Sequence, residues 1–142
     1  MAESIESTKP YVVEFEHRAG YLYAHAQAEK DSLDISVGYW TDIATYCREN
    51  GFSMLLVERD VGTANSLGDT YEVVSKVHEV GLTNVKIAFV ERRPEHIDPD
   101  LFGETIAFNR GISCKVLKNI REAEAWLLFN TTLMPDRMES AA

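Results

Sequence analysis

The sequence lacks the short motifs that mark most catalytic and nucleotide-binding loops. No G-x-G-x-x-G, P-loop or G-x-S-x-G pattern occurs, which excludes the common dinucleotide, nucleoside triphosphate and serine-hydrolase sites. His78-Glu79 has Leu82 where a zinc protease needs its second histidine. Asp98 and Asp100 resemble paired catalytic acids, but both fall in the first turn of a predicted helix, where acids complement the helix dipole. We therefore expect no catalytic activity, no metal and no cofactor.

Cysteine and positive charge are both scarce. Cys47 and Cys114 form no C-x-x-C pair, so we interpret them as small core residues of a protein in a reducing compartment. Fourteen basic residues against 23 acidic ones give a net charge of −9, which excludes the basic face that nucleic acid requires. The first ten residues are polar, and no apolar run reaches the length of a membrane span. We predict a cytoplasmic protein with no transmembrane segment and no nucleic-acid partner.

Two histidines offer an arrangement that resembles a metal site. His17 and His25 lie on segments predicted to pair, near Glu14, and two histidines with one carboxylate can hold a transition metal. The spacing implies no further ligand. We therefore favour the interpretation that both are exposed or hydrogen-bonded strand residues.

The chain does contain a regular alternation of strand-like and helix-like segments. YVVEFEH and YLYAHAQA flank Arg18-Ala19-Gly20, which predicts two strands joined as an opening hairpin. Three later apolar runs, SMLLVE, VKIAFVE and SCKVLK, are typical of strands covered on both faces. Helical periodicity follows the hairpin and each of these runs, and glycine ends the first three helices at Gly51, Gly81 and Gly111.

This order of elements, β-β-α-β-α-β-α-β-α, predicts a single α/β domain. Strands that alternate with helices form a mainly parallel sheet with right-handed crossovers, and the hairpin adds one antiparallel edge. We predict a mixed sheet of about five strands with about four helices over residues 10–130. The polar segments 1–9 and 131–142 are predicted to be flexible.

The last part of this pattern, FNRGISCKVLKNIREAEAWL, resembles the SpoIIAA-like family, which includes the STAS domains. Bacterial members often end in an arginine-glycine helix stop, a short strand and an EAxAWL helix. Here these are Arg110-Gly111, Cys114 to Leu117, and Glu124-Ala125-Trp126-Leu127. The resemblance implies a SpoIIAA-like fold and a non-enzymatic regulatory or protein-interaction module with an unidentified protein partner.

The loop between the third strand and the second helix is the first candidate site. STAS domains that act as anti-sigma factor antagonists carry an Asp-Ser phosphoacceptor pair here, and the nearest pair in this chain is Asn65-Ser66. The resemblance thus implies a phosphorylation switch at Ser66, although asparagine replaces the acid. We expect an interaction surface around this loop, from Thr63 to Asp69, and the helix that follows.

Ser66 also has a structural interpretation, as the residue that caps the second helix. Its hydroxyl oxygen would accept a backbone N–H bond, with Asp69 at the third helical position. In a second register Asp69 is the N-cap residue, and Glu72 is its reciprocal partner at the third helical position. We favour the second register because glycine is unfavourable inside a helix, and this register leaves Gly68 outside it.

Aromatic side chains supply the second candidate site. Tyr21 and Tyr23 lie on the second strand, and Tyr39 and Trp40 lie on the first helix. They fit core packing, a homodimer face or an apolar pocket for a small ligand. The pocket would make the protein a carrier of small molecules or lipids, and SEC14-like lipid carriers resemble relatives of this fold. We also predict a homodimer, because pairing would cover an aromatic edge strand.

Overall fold

A computed structural model describes residues 9–63 and 65–129, and within them the predicted mixed sheet is confirmed. The strands are β1 (Val12–Arg18), β2 (Tyr21–Ala28), β3 (Met54–Val61), β4 (Lys86–Glu91) and β5 (Ser113–Leu117). Their order in the sheet follows their order in the chain. β1 pairs antiparallel with β2, and the later neighbours all pair in parallel. Apart from Lys9, the two segments predicted to be flexible lie outside the described residues.

Four α-helices alternate with these strands in the described ranges. They are α1 (Leu33–Glu49), α2 (Leu67–Glu79), α3 (Ile97–Asn109) and α4 (Ile120–Phe129), and a short 3-10 turn, Pro94–His96, leads into α3. The glycines predicted to end the first three helices all follow them with positive φ. None of these helices combines the length and apolarity that crossing a membrane would require.

The sheet has a different cover on each face. Right-handed crossovers between sequential parallel strands place their helices on one side, and α1, α2 and α3 share the larger apolar cluster with that face. The last helix, α4, packs against β3 and β4 and contributes Ala123 and Leu127 to a smaller cluster on the opposite face. The central strands are therefore buried on both faces, which explains their uninterrupted apolar sequences.

Close backbone contact joins the ends of β2 and β3 and fixes the loops that follow them. The Gly62 N–H donates to the Ala28 carbonyl oxygen at 3.1 Å. A Cβ at Gly62 would lie 1.7 Å from the Glu29 carbonyl oxygen, so only glycine fits this position. One residue later, the Thr63 hydroxyl accepts a hydrogen bond from the Asp31 N–H at 3.1 Å. The loop after β3 is thus held against the start of α1.

Candidate functional site

Charged side chains gather where β2, β3 and β4 end. Arg59 and Glu91 are register partners on β3 and β4, and Asp31 lies in the segment that follows β2. The side chains of Asp31 and Glu91 are fully buried, and that of Arg59 is 11% exposed. In open α/β sheets ligands bind beyond the carboxyl ends of the strands, so this edge is where a site is expected.

Arg59 is held by three acids. Its Nε and Nη2 donate to Glu91 Oε1 at 3.0 and 2.5 Å, and Nη2 also donates to Asp100 Oδ1 at 2.7 Å. Nη1 lies 3.7 Å from Asp31 Oδ2. The guanidinium also lies over the Phe89 ring, 5.1 Å from its centroid. Its donors are largely committed to the protein's own carboxyl groups.

Asp31 anchors a hydrogen-bonded chain that runs into α1. Its Oδ1 accepts from the Ser32 N–H at 2.9 Å and from the Ser36 hydroxyl at 2.5 Å. Its Oδ2 accepts from the Tyr39 hydroxyl at 2.9 Å. Asp31 therefore fixes the side chains on the first turns of α1, and it is well satisfied within the fold.

Asp100 is the acid of the cluster whose pKa is shifted most. Its side chain, in the first turn of α3, is 6% exposed, and its Oδ2 has no hydrogen-bond donor among the described residues. Burial raises the pKa of Asp100 from 3.8 to about 8, the Glu91 carboxyl contributes in the same direction, and Arg59 opposes both. Asp100 is thus a buried acid that holds its proton near neutral pH, a property common at functional sites.

A cavity of about 90 Å³ opens beside these charged groups, between α1, α2, α3 and the sheet. A single water needs about 10–15 Å³, so the cavity has room for several waters or a small organic group. Its wall includes the polar side chains Ser36, Arg59, Asn65, Asp100 and Glu104. The rest is apolar, with walls that include Trp40, Val73, Val77, Phe89, Ala107 and Ile112. An apolar chamber with a few convergent polar groups is the usual form of a small-molecule site.

Cys114 of β5 also lines the cavity, but it is a poor nucleophile. Burial raises the pKa of its thiol to about 12, and Glu104 and Asp100 reinforce the shift. A thiol in this environment is protonated at neutral pH, and only the thiolate is reactive. Cys47 is a buried free thiol of the core, as the sequence predicts.

The candidate loop divides into an inward part and an outward part. Thr63 contacts Asp31, and Asn65 lines the cavity and donates from Nδ2 to the Ser36 hydroxyl oxygen at 2.8 Å. Ser66 and Asp69 instead form the start of α2, where Ser66 is exposed. The structure therefore places Asn65 in the cavity wall, whereas Thr63 bonds to the Asp31 backbone but is exposed like Ser66 and does not line the cavity.

The favoured register for the start of α2 is wrong. Ser66 is the N-cap, and its hydroxyl oxygen accepts from the Asp69 N–H at 3.1 Å, so Gly68 lies inside the first turn. The Ser66 carbonyl oxygen also accepts from the Thr70 N–H and hydroxyl, at 2.9 and 3.0 Å. These bonds offset the cost of a helical glycine, about 1 kcal/mol.

The four aromatic candidates do not line one pocket. Tyr39 and Trp40 belong to the cluster beneath α1–α3, whereas Tyr21 and Tyr23 belong to the cluster on the α4 face. The sheet lies between the two pairs. Alternate residues of a strand point to opposite faces, and Tyr21 and Tyr23 point away from the face that α1 covers. Of the four, only Trp40 lines the cavity. Tyr21 and Tyr39 are fully buried, so of the three alternatives core packing fits these two side chains.

The histidines of the hairpin also lie on opposite faces. His17 Nε2 lies 2.8 Å from the Tyr46 hydroxyl oxygen, beside α1, and His25 Nδ1 lies 3.9 Å from Glu14 Oε1 on the other side. Within the described ranges no three His, Cys, Asp or Glu side chains are grouped to hold a metal ion.

The charged cluster itself was not predicted from the sequence. Asp31, Arg59 and Glu91 went unremarked, and Asp100 was interpreted only as a helix-dipole acid. A signal was present, because the apolar runs SMLLVE and VKIAFVE both end in charged residues at the carboxyl side. Those ends meet at one edge of a parallel sheet. His96 is also buried against the cluster, since it is 3% exposed and its Nδ1 lies 3.6 Å from Glu91 Oε2.

Comparison with known proteins adds no assignment to this geometry. No protein-family model matches the chain, and no curated protein is significantly similar to it in sequence. The architecture is an α/β fold of a kind that hosts many unrelated functions. The function must therefore be argued from the cavity and the side chains around it.

Proposed function

We propose that the protein is a binding domain for a small molecule, which occupies the cavity between α1, α2, α3 and the sheet. The observation that carries this proposal is the cavity's form: an apolar chamber that ends in buried polar groups at the carboxyl ends of the strands. The apolar part of the ligand would lie against the apolar walls that include Trp40 and Phe89, and its polar head would reach Asn65 and Asp100.

The cost of the charged cluster supports this proposal. Buried ion pairs contribute little net stability, and well-packed apolar side chains in the same space are often as stable or more so. Here three acids surround Arg59, and one of them, Asp100, holds its proton near neutral pH in the wall of the cavity. Groups with strongly shifted pKa values in a cleft are typical of sites that act on or bind a ligand.

Binding is favoured over covalent catalysis by the state of the cavity thiol. Cys114 is protonated at neutral pH, and its neighbours Glu104 and Asp100 are acids rather than the cationic groups that activate a cysteine. This environment supports a carrier or sensor of small molecules over covalent catalysis at Cys114.

A regulatory protein-interaction module is the second candidate, and a surface feature favours it. Large apolar side chains are exposed on α2 and α3, namely Leu67, Tyr71, Leu101, Phe102 and Phe108. Exposed apolar groups beside a functional loop are typical of contact surfaces. Ser66 is accessible at the start of α2, so the phosphorylation switch implied by the SpoIIAA-like resemblance belongs to this second candidate.

The test compares a variant that fills the cavity with one that changes the surface. Ala107→Leu adds a branched side chain at a cavity wall, and Phe108→Ser removes a 79% exposed ring from the same helix. We expect small aromatic and aliphatic fragments, screened by ligand-observed NMR, to bind the wild type and Phe108→Ser but not Ala107→Leu. Urea unfolding would verify that both variants fold.

Two results would contradict the binding proposal. One is a wild-type protein that binds no fragment, and the other is Ala107→Leu binding fragments as well as the wild type. Native mass spectrometry of protein purified from its own cells gives an independent measurement. A co-purified small molecule supports the binding domain, whereas a covalent phosphate on the Ser66 peptide supports the regulatory module.

A further inference from the structure

We infer that the cavity selects a ligand whose polar head is uncharged and accepts a hydrogen bond from Arg59 Nη1, such as a small carboxamide or ketone with an apolar body. This inference rests on the proposed binding function and names the ligand class for the same cavity. It follows from the guanidinium nitrogen that the described residues leave without an acceptor, and from the charge around that nitrogen.

The nitrogens of the Arg59 guanidinium are used unequally. Nε and Nη2 donate to Glu91 Oε1, and Nη2 also donates to Asp100 Oδ1. Nη1 makes no hydrogen bond with the described residues. Asp31 Oδ2 lies 3.7 Å from it, beyond hydrogen-bond reach, and accepts from the Tyr39 hydroxyl. Since Nη1 carries two N–H groups, the guanidinium retains donors that the fold does not use.

Nη1 is also open to a ligand. Arg59 lines the cavity, and its Nη1 keeps accessible surface, whereas Asn65 Oδ1 and Asp100 Oδ2 are buried. Nη1 lies on the side of the guanidinium nearer to Asp31. The Ser36 hydroxyl, which donates to Asp31 Oδ1 and accepts from Asn65 Nδ2, is part of the cavity wall on that side. A ligand atom in the cavity can therefore reach Nη1, while the two buried oxygens offer it little surface.

The neutral state of Asp100 decides the charge that a ligand head would meet. Burial raises the pKa of Asp100 to about 8, so this acid holds its proton near neutral pH, and it forms a hydrogen bond with Glu91. The cation Arg59 then faces two carboxylates, Asp31 and Glu91, which leaves the cluster with one excess negative charge. Glu104 adds a further acid to the cavity wall.

This balance of charge favours an uncharged acceptor over either kind of ion. A carboxylate or phosphate at Nη1 would bring a further negative charge to a buried cluster in which Arg59 already faces two carboxylates. An ammonium or amidinium at the same place would meet the Arg59 charge at short range, which is unfavourable. A carbonyl oxygen accepts from Nη1 without either cost, and hydrogen bonds from a charged donor are stronger than those between neutral groups.

The test uses probes that share a body and have flat heads of nearly the same shape. The smaller series is isobutyramide, methyl isopropyl ketone, isobutyrate and isobutyramidinium, and the larger series is benzamide, acetophenone, benzoate and benzamidinium. Each probe is titrated into the wild-type protein at neutral pH and followed by heteronuclear NMR. We expect the amide and the ketone to bind at least about tenfold more tightly than the carboxylate and the amidinium. The ketone cannot donate a hydrogen bond, so its binding would identify a donor in the wall.

Two arginine variants test whether Nη1 receives the head. Arg59→Lys keeps a positive charge among the acids but removes Nη1, and it should weaken binding of the amide and the ketone by about tenfold or more. Arg93→Lys is the matched control, because Arg93 pairs with Asp60 at the same edge of the sheet, is 40% exposed and does not line the cavity. It should change neither affinity. Urea unfolding would verify that both variants fold.

The wild-type protein supplies a second measurement if Arg59→Lys does not fold. The guanidinium nitrogen signals of Arg59 should shift on titration with the amide and the ketone, and those of Arg93 should stay in place. Probes that bind the cavity while the Arg59 signals remain unchanged would contradict the assignment of the head to Nη1.

The outcomes separate this inference from the proposed function. If the carboxylate or the amidinium binds the cavity most tightly, the ligand class is wrong and the binding domain stands. The same conclusion follows if a folded Arg59→Lys variant binds the amide and the ketone as tightly as the wild type. If no probe binds the wild type, or if every probe binds the cavity-filled Ala107→Leu variant equally, the binding domain fails and the ligand class fails with it.

Discussion

The protonated state of Asp100 leads to a quantitative prediction about stability and pH. The folded protein raises the pKa of this carboxyl from 3.8 to about 8, first through burial and then through Glu91. Between these two pKa values the unfolded chain has lost a proton that the folded protein still binds. The free energy of unfolding must therefore fall as the pH rises across this range, by about 1.4 kcal/mol per pH unit for one full proton.

Asp100→Asn isolates this effect, because the amide has nearly the shape of the neutral acid and does not titrate. Between pH 5 and pH 7 the wild type should lose up to about 3 kcal/mol of stability relative to the variant. The gap should stop widening above about pH 8, where the folded protein also ionises Asp100. Asp98→Asn is the control, since this neighbouring acid is exposed in the same turn and should leave the pH profile parallel to that of the wild type.

Urea unfolding at a series of pH values, followed by fluorescence of Trp40 and Trp126, measures both profiles. Contributions from all other titrating groups are shared by the wild type and the variants, so only the differences matter. Parallel profiles for the wild type and Asp100→Asn would refute the raised pKa. A wild type that gains stability relative to the variant as the pH rises would show that Arg59 holds Asp100 ionised in the folded state.

Further substitutions test the loop that follows β3, each by urea titration at a single pH. Gly62→Ala should lower the free energy of unfolding by about 3 kcal/mol or more, because the added Cβ would lie 1.7 Å from the Glu29 carbonyl oxygen. Gly68→Ala should raise it by up to about 1 kcal/mol, because it removes a helical glycine and its Cβ meets only the Ser66 hydroxyl oxygen, at 3.9 Å. Ser66→Ala should lower it by about 1 kcal/mol, and Ser66→Asp should keep most of the cap. A destabilising Gly68→Ala would contradict the observed helix register.

The fold could be predicted because its signals are local. The hairpin follows from two alternating segments around Gly20, and the glycines after α1, α2 and α3 mark helix ends that depend on a few neighbouring residues. The start of α2 was harder to predict because two residues within four positions, Ser66 and Asp69, could each cap the helix. The choice depended on contacts of Asn65 with Ser36 on another helix, which fix the entry to α2 and which no local pattern contains.

The candidate site could not be predicted because its members are distant in sequence. Arg59 meets Asp100 across 41 residues and Glu91 across 32, and both contacts depend on the register of β3 and β4 and on where α3 begins. The helix-dipole interpretation accounts for an acid at position 100 but says nothing of its burial. Asn65 was identified by its loop, yet its role depends on the hydrogen direction at Ser36, which follows from Asp31.

The need to pair the buried Arg59 explains part of the charged cluster but does not explain Asp100. Arg59 could be satisfied by Glu91, which accepts two of its hydrogen bonds, together with the nearby Asp31. Asp100 adds a third acid to a cation that already has two, and it holds its proton against an ordinary pKa of 3.8 beside a cavity. Each of these features lowers the stability of the free protein. A protonated carboxyl can both donate and accept a hydrogen bond, so this acid is suited to meet the ligand of the proposed binding domain.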